Sequence, residues 1–356
     1  MSTPTLTRSA QAGLQRSVAV EQAVARDPGA FRILTGDRPT GPLHIGHYFG
    51  TVANRVRLQE AGVELFVLIA DYQVITDRFA TAQLPADVLG VLADYLAVGI
   101  DPDRATIFAH SQVPELNQLL LPFLSLVSVA EIGRNPTVKE EMTASGSTAM
   151  TGLMFAYPVH QAADILACRA NLVPVGIDQL PHLELTRVIA RRFNERYSPD
   201  APYFTEPDAL LSRAPLLLGL DGGKMSKSRG NAVALRATAD ETARLVAKAV
   251  TDSERQITFD PALRPEVSNL VLIAALCRDE SPEAVAEQIG SGGAAGLKAA
   301  VIEAINERFA PIRARRAALA ADPEYLRQIL AAGNERARDL AEDTLNSVRQ
   351  LMHTSY

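Results

Sequence analysis

The chain has 356 residues, 47% of them hydrophobic and 21% charged, with a formal charge of -6 at pH 7. That length and apolar content can bury a sizeable core, in two domains or one large one. The acidic balance excludes the all-round basic field of small nucleic-acid binders, so any polyanionic partner must meet a local basic patch. Apolar runs are too short and interrupted to span a bilayer, and no cationic segment leads into an apolar core with a cleavage site. Cys168 and Cys277 stand far apart, outside any CxxC or Cys/His cluster. They point to a reducing, cytoplasmic setting without a disulfide framework or structural zinc.

Residues 1–30 show no strong apolar periodicity before Val18–Val24 and read as a loose tail with at most one helical turn. Phe31–Thr35 is apolar and β-branched enough for a strand, Gly36–Gly41 carries turn chemistry, and a helical pattern begins near Ile45. Within Pro39–Gly50, Gly46 leaves room for a ligand at the backbone, and the free N–H groups of a helix start favour phosphate. His44 and His47, three apart, can donate to phosphate oxygens from one side of that turn. Isolated histidines are usually surface or satisfied core residues; the Pro-Thr-Gly lead-in and His-x-Gly-His spacing favour a nucleotide site.

Val63–Ala70 is a continuous apolar run bounded by Gly62 and Asp71, as in a strand buried on both faces, and Ala86–Val98 is helical before a strand at Thr106–Ala109. Strands alternating with helices predict a doubly wound parallel α/β sheet, Rossmann-like, with ligands beyond the carboxyl ends of its strands. Residues 36–46 and 71–76 should then face one cavity.

Pro114–Ala130 reads as one helix, and the polar stretch Glu131–Gly152 as a mobile insertion. A helix starting at Pro158 would set Gln161 and Asp164 on one face with Tyr157 at its entry. Asp164 sits among Ala162, Ala163, Ile165 and Leu166, where a carboxylate needs a partner. Leu172–Gln179 reads as a short strand and polar loop, in which Asp178 can accept from ribose hydroxyls and Gln179 can donate and accept, ahead of a helix over Pro181–Arg196. The glycine-flanked loop Lys224-Met-Ser-Lys-Ser-Arg229 can close over a triphosphate or simply be a solvated basic loop. Beyond Thr238 the pattern is helical, and Gly290–Gly296 has the wrong spacing for a phosphate loop, so it reads as an inter-helix connection. Arginines from Arg308 to Arg338 include candidates for holding an RNA backbone.

Pro-Thr-Gly-x-Leu-His-Ile-Gly-His, ending at His47, together with Lys224-Met-Ser-Lys-Ser228, resembles the two signatures of class I aminoacyl-tRNA synthetases. Tyr157-Pro-x-x-Gln-Ala-x-Asp164, Val173-Pro-Val-Gly-x-Asp-Gln179 and His182-x-Glu-Leu-Thr-Arg187 are similar to the tryptophanyl/tyrosyl subgroup. Tyr95–Asp101, Ala249–Glu254 and Ser268–Leu270 favour its tryptophanyl branch. The resemblance implies that His44, Gly46, His47 and Arg38 meet ATP phosphates, Gly176 and Asp178 the adenosine, and Lys224, Met225, Ser226, Lys227 and Ser228 the pyrophosphate. It implies Tyr157 and Gln179 at the amino acid's α-amino group and Asp164 at an indole N–H, with Gly36, Gln161 and Val175 nearby. Where many relatives have Lys-Glu-Lys, this chain has Lys139-Glu140-Glu141, and Arg38 replaces a frequent Gln. ATP with its Mg2+, L-tryptophan and tRNA(Trp) are the implied partners, with a homodimer and no tightly held prosthetic group or protein metal site. The implied division is a catalytic unit over 31–229 with an insertion near 110–155, a helical anticodon-reading unit over 230–325, and a C-terminal helix over 326–356 returning to the first. A tyrosine enzyme, another nucleotidyltransferase and a non-charging regulatory paralogue are the alternatives.

Overall fold

The computed structural model describes residues 8–76, 80–135, 150–176, 179–211, 217–226 and 229–356, with side chains of the first helix from Gln15 onward. Five strands, β1 (Arg32–Asp37), β2 (Glu64–Ile69), β3 (Ala105–Ala109), β4 (Leu172–Val175) and β5 (Asp208–Leu211), form one parallel sheet in the order β3-β2-β1-β4-β5. Strand order reverses between β1 and β4, which pair at Ile33 and Leu172 near their starts. Their carboxyl ends run on into the crevice that such a switch point creates.

Side chains alternate across each strand, and both faces are covered. Ile33, Leu65, Val67, Ile69 and Ile107 enter one apolar cluster; Leu34, Phe66, Leu68 and Phe108 enter the other. The first cluster lies under α3 (Ala53–Ala61) and α4 (Leu84–Val98) and runs on into the helical half, through α9 (Ala239–Ala247), α10 (Pro265–Arg278), α11 (Pro282–Ile289) and α12 (Gly293–Ala320). The second lies under α5 (Pro114–Leu124), α7 (Gly152–Ala167), α8 (Leu180–Tyr197) and α13 (Pro323–Leu351). The doubly wound expectation is met.

Several expected elements differ. The expected loose tail contains α1 (Arg8–Arg26), because Val20 and Val24 are buried in the core and the Ser17 hydroxyl accepts from the Leu211 N–H at 2.9 Å. β5, which lacks a distinctive pattern, is the strand this helix covers. α7 starts at Gly152, six residues before Pro158, because the Thr151 side chain accepts from the Met154 N–H at 3.1 Å and caps the helix there. The single helix expected over Pro114–Ala130 is broken: α5 ends at Leu124, and Ser128 with Glu131 forms a capping box that starts α6 (Val129–Gly133). Most of the expected insertion, 136–149, lies outside the described residues. Of the expected connection Gly290–Gly296, residues Gly290–Gly292 join α11 to α12 and the rest form the first turn of α12; Gly290 accepts from the Ile257 N–H and the Gly293 N–H donates to Arg255.

α13 closes the β3 edge. Gly333 faces this strand so closely that a Cβ would stand 1.8 Å from the Ile107 carbonyl oxygen, and the Asn334 side chain accepts from the Ala109 N–H at 3.0 Å. No helix among the described residues is long and apolar enough to cross a membrane.

Candidate active site

At the β1/β4 switch point lies a cavity of about 530 Å³. Gly36 and Arg38 line it from the end of β1, and His44 and His47 from the loop and first turn of α2 (Ile45–His47). Val175 reaches it from the end of β4, Gly176 and Gln179 from beyond it, Tyr157, Gln161 and Asp164 from α7, and Met225 and Ser226 from the lysine loop. Five separate stretches of chain thus converge. Gly46 and Lys224 are not in the lining, and Asp178, Lys227 and Ser228 lie outside the described residues.

Gly46 has a different neighbour from the one its sequence suggested. A Cβ there would stand 2.7 Å from the Met225 Sδ and 3.0 Å from the His44 ring, so the glycine admits the lysine loop rather than only a ligand. The two distant motifs are joined by backbone as well. The Ile45 N–H donates to Val233 at 3.0 Å, and the Leu235 N–H to Leu43 at 2.8 Å. Asn231, 5% exposed, ties the loop from within: its oxygen accepts from the Ser226 N–H at 2.8 Å, and its amide donates to Asp221 and to the Lys224 carbonyl. Lys224 pairs through its backbone with Leu218 and is exposed. The His44 and His47 rings pack 3.6 Å apart, and His47 Nδ1 accepts from the His44 N–H at 3.1 Å.

Beneath the histidines is a buried charged group that sequence reading missed. Arg55 of α3, 2% exposed, donates to Asp37 at 2.6 Å, and the Tyr95 hydroxyl donates to the same oxygen at 2.7 Å. Burial alone would raise the Asp37 pKa, but the Arg55 charge, with a smaller contribution from His47, holds it well below the usual carboxylate range. Asp37 lay within the stretch read as turn chemistry, and nothing in the sequence singled out Arg55; the fold brings them together.

Two polar pairs shape the α7 side. The Tyr157 hydroxyl is 3.1 Å from His182 Nε2, and His182 Nδ1 is 3.2 Å from Asn135. Asp164 is 1% exposed, and its Oδ1 is 2.6 Å from Nε2 of His110, itself 1% exposed in the turn after β3. The partner that a carboxylate among apolar residues requires is therefore a histidine 54 residues away, which no local signal marks. Oδ2 of Asp164 has no hydrogen-bond partner among the described residues. The His160 ring lies 4.7 Å from that of His110, its Nε2 2.9 Å from Asn117 Oδ1. Burial pulls the His160 pKa below its ordinary value despite the nearby Asp164 charge, which favours a neutral ring. Ligating atoms of His110, His160 and Asp164 lie within 4.8 Å of one another, close enough to share an ion, but here two of these groups bond to each other and the third to Asn117.

A parallel sheet with a polar cavity at its switch point, a histidine turn on one side and a lysine loop on the other, defines a nucleotide-binding α/β protein. Residues 27–310 match the family model of class I tRNA synthetases of the tryptophan and tyrosine group, and the chain belongs to that family. It is 41% identical over 337 residues to a tryptophan--tRNA ligase of Streptococcus pneumoniae, covering 91% of this chain and 98% of that one. A tryptophan--tRNA ligase of Streptococcus pyogenes is 42% identical over 338 residues, with the same coverage. Among solved structures, tryptophanyl-tRNA synthetase of Campylobacter jejuni, complexed with ADP and tryptophan, superposes with a TM-score of 0.79 at 30% identity, over 90% of this chain and 99% of that one.

Proposed function

We propose that this chain activates L-tryptophan with ATP to tryptophanyl-adenylate and transfers the acyl group to tRNA(Trp). The observation that carries the reading is Asp164, a buried carboxylate on the cavity wall with one oxygen held by His110 and the other without a partner among the described residues. Such an acceptor suits a ring N–H and penalises a phenyl ring that leaves it unpaired. The names of the similar ligases agree with this choice over a tyrosine enzyme.

In the reaction, the tryptophan carboxylate attacks the α-phosphorus of ATP and pyrophosphate departs; a terminal hydroxyl of the tRNA then attacks the acyl carbon and AMP departs. No protein nucleophile is needed. Rate comes from alignment and from cationic and N–H groups aimed at developing phosphate charge. His44, His47 and Arg38 would meet the phosphates, with Gly46 letting the loop approach; Gly176 and Asp178 would meet the adenosine. Lys224, Ser226, Lys227 and Ser228 would close on pyrophosphate, with Met225 packed on Gly46. Tyr157 and Gln179 would hold the α-amino group beside Gly36, Gln161 and Val175. Mg2+ would arrive on the ATP phosphates, since Asp37 is already committed to Arg55 and Tyr95. Residues 31–229 would form the catalytic unit and 230–325 the tRNA-reading unit, in a cytoplasmic homodimer.

The test is ATP–pyrophosphate exchange and tRNA charging with tryptophan and with tyrosine. Tryptophan should support both, and Asp164→Ala should raise the tryptophan KM by about 100-fold or more while moving the ATP KM little. A preference for tyrosine, or adenylate formation without charging, would overturn the proposal.

A further inference from the structure

We infer that His110 is a positioning residue for amino-acid selection: its Nε2–H fixes Oδ1 of Asp164 so that Oδ2 is left as the acceptor for the substrate's ring N–H. The inference rests on the tryptophan reading above and adds a residue to it. A carboxylate can only accept, so the nitrogen 2.6 Å from Oδ1 must carry the hydrogen. Nδ1 of the same ring is buried with no hydrogen-bond partner among the described residues, so the ring's hydrogen bond is the one to Asp164.

The ring is held from several elements. On its carboxyl-terminal side, Ser111 bonds to Asp71 through both its N–H, at 3.0 Å, and its hydroxyl. On its amino-terminal side, the Ala109 N–H is fixed by Asn334 of α13. The Tyr72 ring stacks at 6.3 Å and the His160 ring packs at 4.7 Å. An imidazole gripped in this way cannot follow a rotating carboxylate; it fixes the carboxylate's plane. Without the bond, Asp164, at 1% exposure, would lose its donor and be free to rotate. A rotated carboxylate no longer aims Oδ2 at the ring N–H, and selection for that group is lost.

The experiment compares wild type, His110→Leu and His110→Gln, the last keeping an N–H donor. Binding can be read from tryptophan's own fluorescence, because the chain contains no tryptophan. His110→Leu should weaken tryptophan binding and raise its KM about 10- to 100-fold, the weight of one charge-assisted hydrogen bond, with kcat and the ATP KM within about threefold. His110→Gln should recover most of the loss. Discrimination against β-(3-benzothienyl)alanine, which has sulfur in place of the ring N–H, should shrink in the Leu variant. Adding His110→Leu to Asp164→Asn should cost little more. A folded His110→Leu that binds tryptophan normally, or loses ATP equally, overturns the inference. If the Leu variant does not fold, a folded Gln variant decides: affinity near wild type supports the hydrogen bond, and loss overturns it. Tryptophan exchange in wild type that Asp164→Asn abolishes and His110→Leu spares would remove this inference and leave the proposed function standing.

Discussion

Asp37 shows how much of this site depends on single residues whose neighbours in sequence reveal little. It ends β1, carries a full negative charge beneath the histidine turn, and is balanced by Arg55 and Tyr95. Asp37→Asn should cost about 3–5 kcal/mol, because it leaves Arg55 buried with a neutral partner; denaturant unfolding measures it. The pH dependence has a definite sign. Asp37 has a folded pKa below its ordinary value of 3.8, so its contribution is present above that value and is lost as pH falls below it. Above about pH 5 the variant should therefore trail the wild type by a constant amount, and the gap should close in acid. Asp164 was legible at this scale, because a carboxylate in an Ala/Ile/Leu run is anomalous by itself. His110 was not, because a histidine ending an apolar strand is ordinary until its partner is known.

At the scale of elements, periodicity located β1, β2, β3, β4 and α8 well, since strands covered on both faces read as unbroken apolar runs. It failed where a tertiary contact decided. α1 is a helix because a groove beside β5 accepts Val20 and Val24, and α7 begins early because Thr151 caps it. The contact of α13 with β3 is another case. Gly333 lies inside a helix, where glycine costs about 1 kcal/mol relative to alanine. Its lack of a Cβ is what lets the helix approach the Ile107 carbonyl. Gly333→Ala should therefore destabilise despite its better helix propensity, by about 1–3 kcal/mol or more in chemical denaturation. A stabilised variant would show that α13 can slide outward freely.

Across the whole molecule, the helical half is wired to the loop before the histidine turn. Asp94 of α4, 1% exposed, accepts from the Leu43 N–H at 2.9 Å and from Arg316 of α12. Burial raises the Asp94 pKa above its ordinary value, with Arg316 opposing the rise. Arg308 adds a second link, its guanidinium 6.0 Å from the centre of the Tyr48 ring. Arg316→Met should raise the ATP KM several-fold by loosening Leu43 beside His44, and should lower stability by about 3–5 kcal/mol at neutral pH. An acid with a raised folded pKa destabilises the fold above that pKa, so the stability loss should be smaller at about pH 5 than at pH 8. An unchanged ATP KM would disconnect the two halves.

What the sequence determined by itself was the kind of fold and the chemistry of each short stretch: a glycine- and histidine-bearing turn, a lysine loop, a helix with a carboxylate among apolar residues. Those properties depend on residues within a turn or two of one another, so spacing reveals them. The tertiary structure decided which stretches meet. Met225 against Gly46, Asp37 against Arg55 and His110 against Asp164 join residues 18 to 179 positions apart. Packing and burial impose such pairs, and no local periodicity records them.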